Sequence, residues 1–411
     1  MKICPKCKSE FESGKFCPEC GVALEEKKEE IKLVCIGCGA ELLPEAKFCP
    51  ECGEKVEKLK DLSDSKISNY NDVDNLLSEA EKLDNQAWEM VENDESESET
   101  QNLFEKSFDL YLQAANLGSA KAQYEVGNAY YLGVGLKNET DDKSAFKWFK
   151  KAADQNHPTA SAMVGLFYLN GMSGVVPQSN EQGYRYISNA ANQEDEKGLL
   201  YLAQCYHFGL AVSKNLTEAE KLYRQLLSKN EDSYQAKYGI GRIFFDREEY
   251  SSAFAYFIKA ADFDDDAKFY LGLCYEQGLG IEQNIAKAVE QYKKIENDKE
   301  GWTQYRLGLI YFTEDNGFTS PKEAYRMFKL SSSCGNPNGT FYMGICRKYG
   351  IGVEENFEKG QELIAKAMDA GVEGAEEEYN NSKKGNSGIF KKIGMGLLGG
   401  VGLGLLGGLF S

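Results

Sequence analysis

The sequence predicts a mainly α protein, an α-solenoid of stacked helix-turn-helix units preceded by two small metal-binding knuckle modules. Three observations predict it. A glycine with an aliphatic residue before it and an aromatic one three positions later returns about every 31 to 38 residues. At that period each unit is one helix pair that cannot bury its own apolar side, so the units must stack. Four Cys-x-x-Cys pairs crowd the first 52 residues. Finally, 411 residues exceed the size at which one core keeps growing, and a 42% hydrophobic share supplies many buried faces.

Charge narrows the function classes. A formal net charge of -18 and a pI near 4.8 make the chain repel phosphate backbones and anionic lipid, which argues against nonspecific nucleic-acid binding. The start Met1, Lys2, Ile3, Cys4 carries no apolar signal core, so twelve cysteines are expected in a reducing cytoplasm rather than in a disulfide framework.

The paired cysteines are Cys4 with Cys7, Cys17 with Cys20, Cys35 with Cys38, and Cys49 with Cys52. Each pair forms a knuckle whose thiolates converge on one ion, and two knuckles about a dozen residues apart close a four-sulfur shell. The string Lys15, Phe16, Cys17, Pro18, Glu19, Cys20, Gly21 recurs as Lys47, Phe48, Cys49, Pro50, Glu51, Cys52, Gly53, so the module is duplicated. Zinc suits this spacing; a rubredoxin-type iron site and a disulfide set are the competing readings. Residues 1 to 56 resemble the short zinc-ribbon family at all eight positions, which implies two structural zinc ions in modules 1–24 and 31–56. Four protein sulfurs leave no open position for water, so metal catalysis is not expected. Lysines and acids nearly balance over residues 1–60, which favours protein contact over nucleic acid there.

Residues 57–73 read as a linker, and residues 74–118 as helices that open the solenoid, with Ala114 and Ala115 repeating a second-helix signature. The solenoid itself spans 119–380. Its helix glycines are Gly127, Gly165, Gly241, Gly272 and Gly308, with Ala203 and Gly344 in weaker copies. One full copy runs Ala122, Tyr124, Val126, Gly127, Tyr130, Gly133, Gly135, then Lys143, Ala145, Trp148, Phe149, Ala152, Ala153. That string resembles the Sel1-like repeat, a relative of the tetratricopeptide repeat, and about seven copies cover 119–372. The copy over 233–262 lacks the Gly-x-Gly turn and resembles a tetratricopeptide unit, while the seventh has Arg347 at the aromatic position. The helix glycine admits the partner helix, and Gly-x-Gly turns supply backbone angles that other residues resist.

On a helical wheel the aliphatic residue, glycine and aromatic form the buried side of each first helix. Positions three before the glycine, one after it and four after it fall on another side, the inner wall expected of a solenoid. They are Tyr124, Asn128 and Tyr131; Leu200, Gln204 and His207; Tyr238, Arg242 and Phe245; Phe269, Leu273 and Glu276; Tyr305, Leu309 and Phe312. Aromatics among single polar groups make a groove for an extended peptide or a partner helix, and Tyr124, Asn128, Tyr131, Gln204, His207, Arg242, Phe245, Glu276 and Phe312 are its candidate contacts. The competing reading packs these aromatics against the neighbouring repeat. His157 and His207, the only histidines, assemble no catalytic set, and Cys205, Cys274, Cys334 and Cys346 read as buried small apolar residues.

Residues 381–388 form a second linker and residues 389–411 a glycine-rich hydrophobic tail with Gly396, Gly400, Gly404 and Gly408 four apart. A membrane-inserted anchor, a self-associating glycine zipper and a flexible tail compete there. The expected function is a protein-protein interaction scaffold, cytoplasmic and with a candidate membrane-associating tail, that turns over no small-molecule substrate. The alternative is a zinc-ribbon nucleic-acid-binding regulator whose solenoid recruits a partner.

Overall fold

The computed structural model describes residues 70–93, 95–136, 140–172, 174–313 and 316–380, together with the backbone of five two-residue strands nearer the start. The described residues fall into two compact units, 1–164 with 173–175, and 165–172 with 176–411.

In the first unit β1 (Lys2–Ile3) pairs antiparallel with both β2 (Glu10–Phe11) and β3 (Glu25–Glu26), and β4 (Leu33–Val34) pairs antiparallel with β5 (Glu41–Leu42). Cys4 and Cys7 lie in sequence between β1 and β2, and Cys35 and Cys38 between β4 and β5, so each first knuckle is bracketed by paired strands. All eight paired cysteines lie outside the described residues.

Helix α1 (Tyr70–Glu92) begins inside the segment expected to be linker and packs on α2 (Glu97–Asn116). Ala80 and Ala87 are fully buried, which lets the helices approach, and Trp88 meets Phe104 edge-on at 5.1 Å. The next pair is α3 (Ala120–Leu132) and α4 (Asp142–Asp154). Ser119 accepts from the Ala122 N–H at 3.3 Å to cap α3, and Asp141 accepts from the N–H groups of Lys143 and Ser144 to cap α4. Helix α5 (Pro158–Asn170) starts in the first unit and ends in the second.

The second unit continues with α6 (Asn180–Asn192), α7 (Glu196–Phe208), α8 (Leu216–Lys229), α9 (Tyr234–Asp246) and α10 (Tyr250–Ala260). After these come α11 (Asp265–Gln277), α12 (Ile285–Lys293), α13 (Trp302–Phe312), α14 (Pro321–Ser333), α15 (Pro337–Tyr349), α16 (Phe357–Asp369) and α17 (Ala375–Asn380). Helices α3, α7, α9, α11, α13 and α15 are first helices of hairpins, and each buries apolar residues on more than one side because it contacts its own second helix and the helix before it.

Gly272 shows why the repeat needs glycine. A Cβ there would sit 2.6 Å from the Tyr292 ring of α12, closer than carbon atoms approach. Gly280, at φ 71°, lies against the Tyr250 backbone that opens α10, so both its conformation and its space exclude a side chain. The copy without Gly-x-Gly joins α9 to α10 through residues 247–249, with Glu248 at φ 63°. Arg347, at the aromatic position of the seventh copy, lays its guanidinium 5.1 Å from the Tyr325 ring and so keeps a flat packing surface.

Cys205, Cys274 and Cys346 are buried, and burial pushes each thiol up to about 12. Cys334 departs from the expectation: it is exposed, because it caps the C-terminus of α14 beside Gly335 rather than facing a neighbouring helix.

Candidate partner-binding face

The nine groove residues read from the wheel do not share one environment. On α3, Tyr124, Asn128 and Tyr131 are half-buried. Tyr124 stacks on His157 at 5.0 Å, and His157 Nδ1 accepts from the Ala160 N–H at 3.2 Å, so this histidine holds the start of α5. Tyr131 meets Phe149 edge-on at 6.4 Å. On α7, Gln204 is half-buried.

The other five are closed to solvent, with exposures of 0% for His207, 8% for Arg242, 3% for Phe245, 4% for Glu276 and 4% for Phe312. Such side chains present no groove, and the expectation that they form one is corrected here. Packing against the neighbouring repeat takes their place. In the second unit, the residue two before the helix glycine of one first helix enters the space beside the wall positions of the preceding first helix. Tyr270 of α11 lies 6.2 Å from Tyr238 and 5.2 Å from Phe245 of α9. Tyr342 of α15 lies 5.8 Å from both Tyr305 and Phe312 of α13.

Where the residue four after the helix glycine is charged, as at Glu276 and Lys348, the entering residue carries the opposite charge. Arg306 of α13 donates from Nε to Glu276 Oε2 at 3.0 Å and places Nη2 2.6 Å from Oε1, while the Tyr292 hydroxyl donates to Oε2 at 2.7 Å. Lys348 of α15 donates to the Glu378 carboxylate and to the Glu378 carbonyl of α17, each at 2.7 Å, and the Tyr349 hydroxyl donates to the same carboxylate at 2.6 Å. The sequence reading missed Arg306, Lys348 and Glu378. The signal was available: a charge four residues after the helix glycine, answered by its opposite 30 residues on.

Between α7 and α9 the contact is looser. Asp246 Oδ2 is 2.8 Å from Lys214 Nζ and 3.6 Å from His207 Nε2, and Asp246 Oδ1 is 3.9 Å from the Arg242 guanidinium. Burial works to raise the Asp246 carboxyl, yet the nearby His207 imidazole, the bond from Lys214 and the Arg242 charge hold it well below the usual carboxylate range. Burial lowers His207 more than Asp246 raises it, so the imidazole is neutral at pH 7. Arg242 donates to the Tyr238 hydroxyl at 3.1 Å and lies 4.2 Å from the Tyr270 ring, a cation held by aromatic faces within the stack.

Among the described residues, no group of His, Cys, Asp and Glu is placed to hold a metal ion. Metal chemistry rests on the eight paired cysteines, whose soft thiolates suit zinc. Among the described residues, no helix is long and apolar enough to cross a membrane, and the tail 389–411 lies outside them.

Serially paired helices with a repeating inter-repeat contact define a helical-repeat protein. The Sel1 repeat family matches residues 98–119, 120–157, 158–195, 197–230, 237–262, 265–294, 303–336 and 337–372, more than half of the 411 residues, and the chain belongs to that family. The eight matches add a partial copy over 98–119 to the seven expected, and they include the copy read as closer to a tetratricopeptide unit. Residues 4–53 match the family described as Double zinc ribbon.

The chain is 27% identical over 208 residues to DAP3-binding cell death enhancer 1 of Rattus norvegicus, covering 50% of this chain and 40% of that protein. It is 24% identical over 230 residues to Chitin synthase regulatory factor 2 of Schizosaccharomyces pombe, covering 52% and 44%. The chain thus spans less than half the length of these two relatives. A protective antigen of uropathogenic Escherichia coli, whose crystal structure displays an SLR fold, aligns with a TM-score of 0.53 at 26% identity, covering 67% of this chain and 59% of that one.

Proposed function

We propose that the chain is a non-catalytic scaffold that holds a partner protein on the solvent-facing part of its first helices. Tyr124, Asn128 and Tyr131 on α3 are the principal contacts, and Gln204 on α7 is a separate, smaller one. The observation that carries this reading is the difference in burial at equivalent positions. The wall residues of α11 and α13 are used up by the stack, whereas those of α3 keep accessible area on two tyrosines and an asparagine. Tyrosine offers large contact area at low entropic cost, and an amide adds directional hydrogen bonding. Relatives named for binding another protein or regulating an enzyme support a role of the same kind.

A photo-crosslinking residue at position 128 tests it. It should trap a cellular protein that the same residue at position 312 does not, and Tyr124→Ala with Tyr131→Ala should remove the trapped band while leaving the thermal unfolding midpoint within a few degrees. Equal trapping at both positions, or trapping indifferent to the two tyrosines, rejects the face.

The ribbons are proposed to hold two structural zinc ions, one on Cys4, Cys7, Cys17 and Cys20 and the other on Cys35, Cys38, Cys49 and Cys52. Elemental analysis of the purified chain should give two zinc per molecule, and Cys4→Ser with Cys7→Ser should lower this to one. The tail 389–411 is proposed as the membrane-seeking segment of an otherwise cytoplasmic protein. Carbonate-washed membranes should retain the full chain and release one ending at residue 388.

A further inference from the structure

Charge is concentrated where α1 passes into α2. Between Lys82 and Lys106 the sequence carries eight acids and no base, a local charge of -8 within a total of -18. Helix electrostatics accounts for part of it. Glu97 and Glu99 stand in the first turn of α2, where the positive end of the helix dipole favours acids. Glu89 and Glu92 stand at the opposite pole, in the last turn of α1, which holds no basic residue. There the dipole is negative and disfavours carboxylates, so the stability of α1 supplies no reason for these two.

The same turns of α1 expose apolar surface. Trp88 is 44% exposed and Val91 50%, and a spacing of three residues puts both on one side of the helix. The Phe104 ring of α2 meets Trp88 edge-on at 5.1 Å, which fixes the indole while leaving much of it in water. Glu92, four residues after Trp88, borders this pair on the same side. Glu89, Glu92 and Glu95 are all exposed. A held but accessible tryptophan beside carboxylates suits a contact that is apolar at its centre and charged at its rim.

The sign of the charge selects the occupant. These carboxylates repel nucleic acid and anionic lipid. A bare cation would leave Trp88 and Val91 without a role. Lysine or arginine on a partner helix would face the glutamates while the apolar side of that helix covers the indole, and it would also relieve the repulsion at the end of α1.

We propose that the junction of α1 and α2 binds a partner protein through a basic amphipathic helix, whose apolar side covers Trp88 and Val91 and whose cations pair with Glu89, Glu92 and Glu95. This surface shares no residue with the α3 face, so either can fail without the other.

The test uses the full chain and a fluorescent synthetic helix of about 18 residues, with leucine along one side and lysine along the other. At about 50 mM salt, Glu89→Gln with Glu92→Gln and Glu95→Gln should weaken its binding about tenfold, and the loss should shrink as salt is raised to about 500 mM. Glu354→Gln with Glu355→Gln and Glu358→Gln removes the same charge at the start of α16, and should leave binding within about twofold. Val91→Asp separates the apolar part. It adds an acid at an exposed position that spares the fold, so charge attraction alone would tighten binding, whereas the proposed contact weakens it several-fold. Trp88→Ala should weaken it at least as much. No binding to wild type, equal losses from the two sets of glutamates, or binding tightened by Val91→Asp overturns the proposal.

Discussion

Helices α3 and α13 carry the same pattern, an aromatic three before the glycine and another four after it, yet they put it to different use. Tyr124 and Tyr131 of α3 are half-buried, whereas Tyr305 and Phe312 of α13 close around Tyr342 of the following first helix. Methionine occupies the entering position in α5, Met163, where α15 has tyrosine. The comparison teaches that a wall position becomes surface or core according to what the next repeat inserts. The wall residue alone does not decide it.

The largest test of that lesson is Glu276→Ala, which leaves Arg306 buried without its carboxylate. It should cost about 3–5 kcal/mol in urea unfolding, whereas Glu276→Leu with Arg306→Met should remain within about 1 kcal/mol of wild type or exceed it. A loss from the double change as large as that from the single one would show that the pair serves more than the stack. Phe312→Ala should cost about 3–5 kcal/mol, since it opens a cavity beside the Phe328 and Tyr342 rings. Tyr131→Ala should cost less by the same assay, about 1–2 kcal/mol, because part of its ring already meets water. Equal losses at the two sites would erase the distinction between the regions.

The smallest effect concerns the caps. Ser119 caps α3 as a neutral hydroxyl, while α11 is capped by Asp264, whose carboxyl is pushed up to about 6, first by burial and then by the charges of Asp266 and Asp265, against the opposing hydrogen bond from the Ala267 N–H. A raised carboxyl pKa stabilises the fold at low pH, and that contribution is lost as pH rises through about 6. Asp264→Asn keeps the cap without the charge. It should therefore gain about 1 kcal/mol at pH 8, discounted for partial exposure, and nothing near pH 3.5. Thermal melts at the two pH values check the difference, and a gain that is independent of pH would place its origin outside Asp264 titration.

Much of the fold was legible because it is local. Glycines such as Gly272 and Gly280 recur along the chain, and the apolar spacing within each hairpin needs no distant partner to be read. The start of α1 at Tyr70 was missed because the Lys, Asp, Ser and Asn run before it hides an otherwise ordinary amphipathic pattern. Of the candidate site, the wheel set Tyr124, Asn128, Tyr131 and Gln204, which are half-buried, on the same side as His207, Arg242, Phe245, Glu276 and Phe312, which are buried. A wheel gives the angle of a side chain about its own axis. It holds no information on how close the next axis lies.

By itself the sequence determined that helical hairpins form, at what period they recur, which glycines let them touch, and which eight cysteines have the spacing of metal ligands. These depend on backbone angles, helix periodicity and ligand spacing within a few tens of residues. Only the tertiary structure decided that Glu276 meets Arg306, that Lys348 meets Glu378, and that Phe245 of α9 with Tyr305 and Phe312 of α13 are core. Each of those outcomes depends on the distance between successive first helices, and that distance is set by the packing of every side chain between them at once.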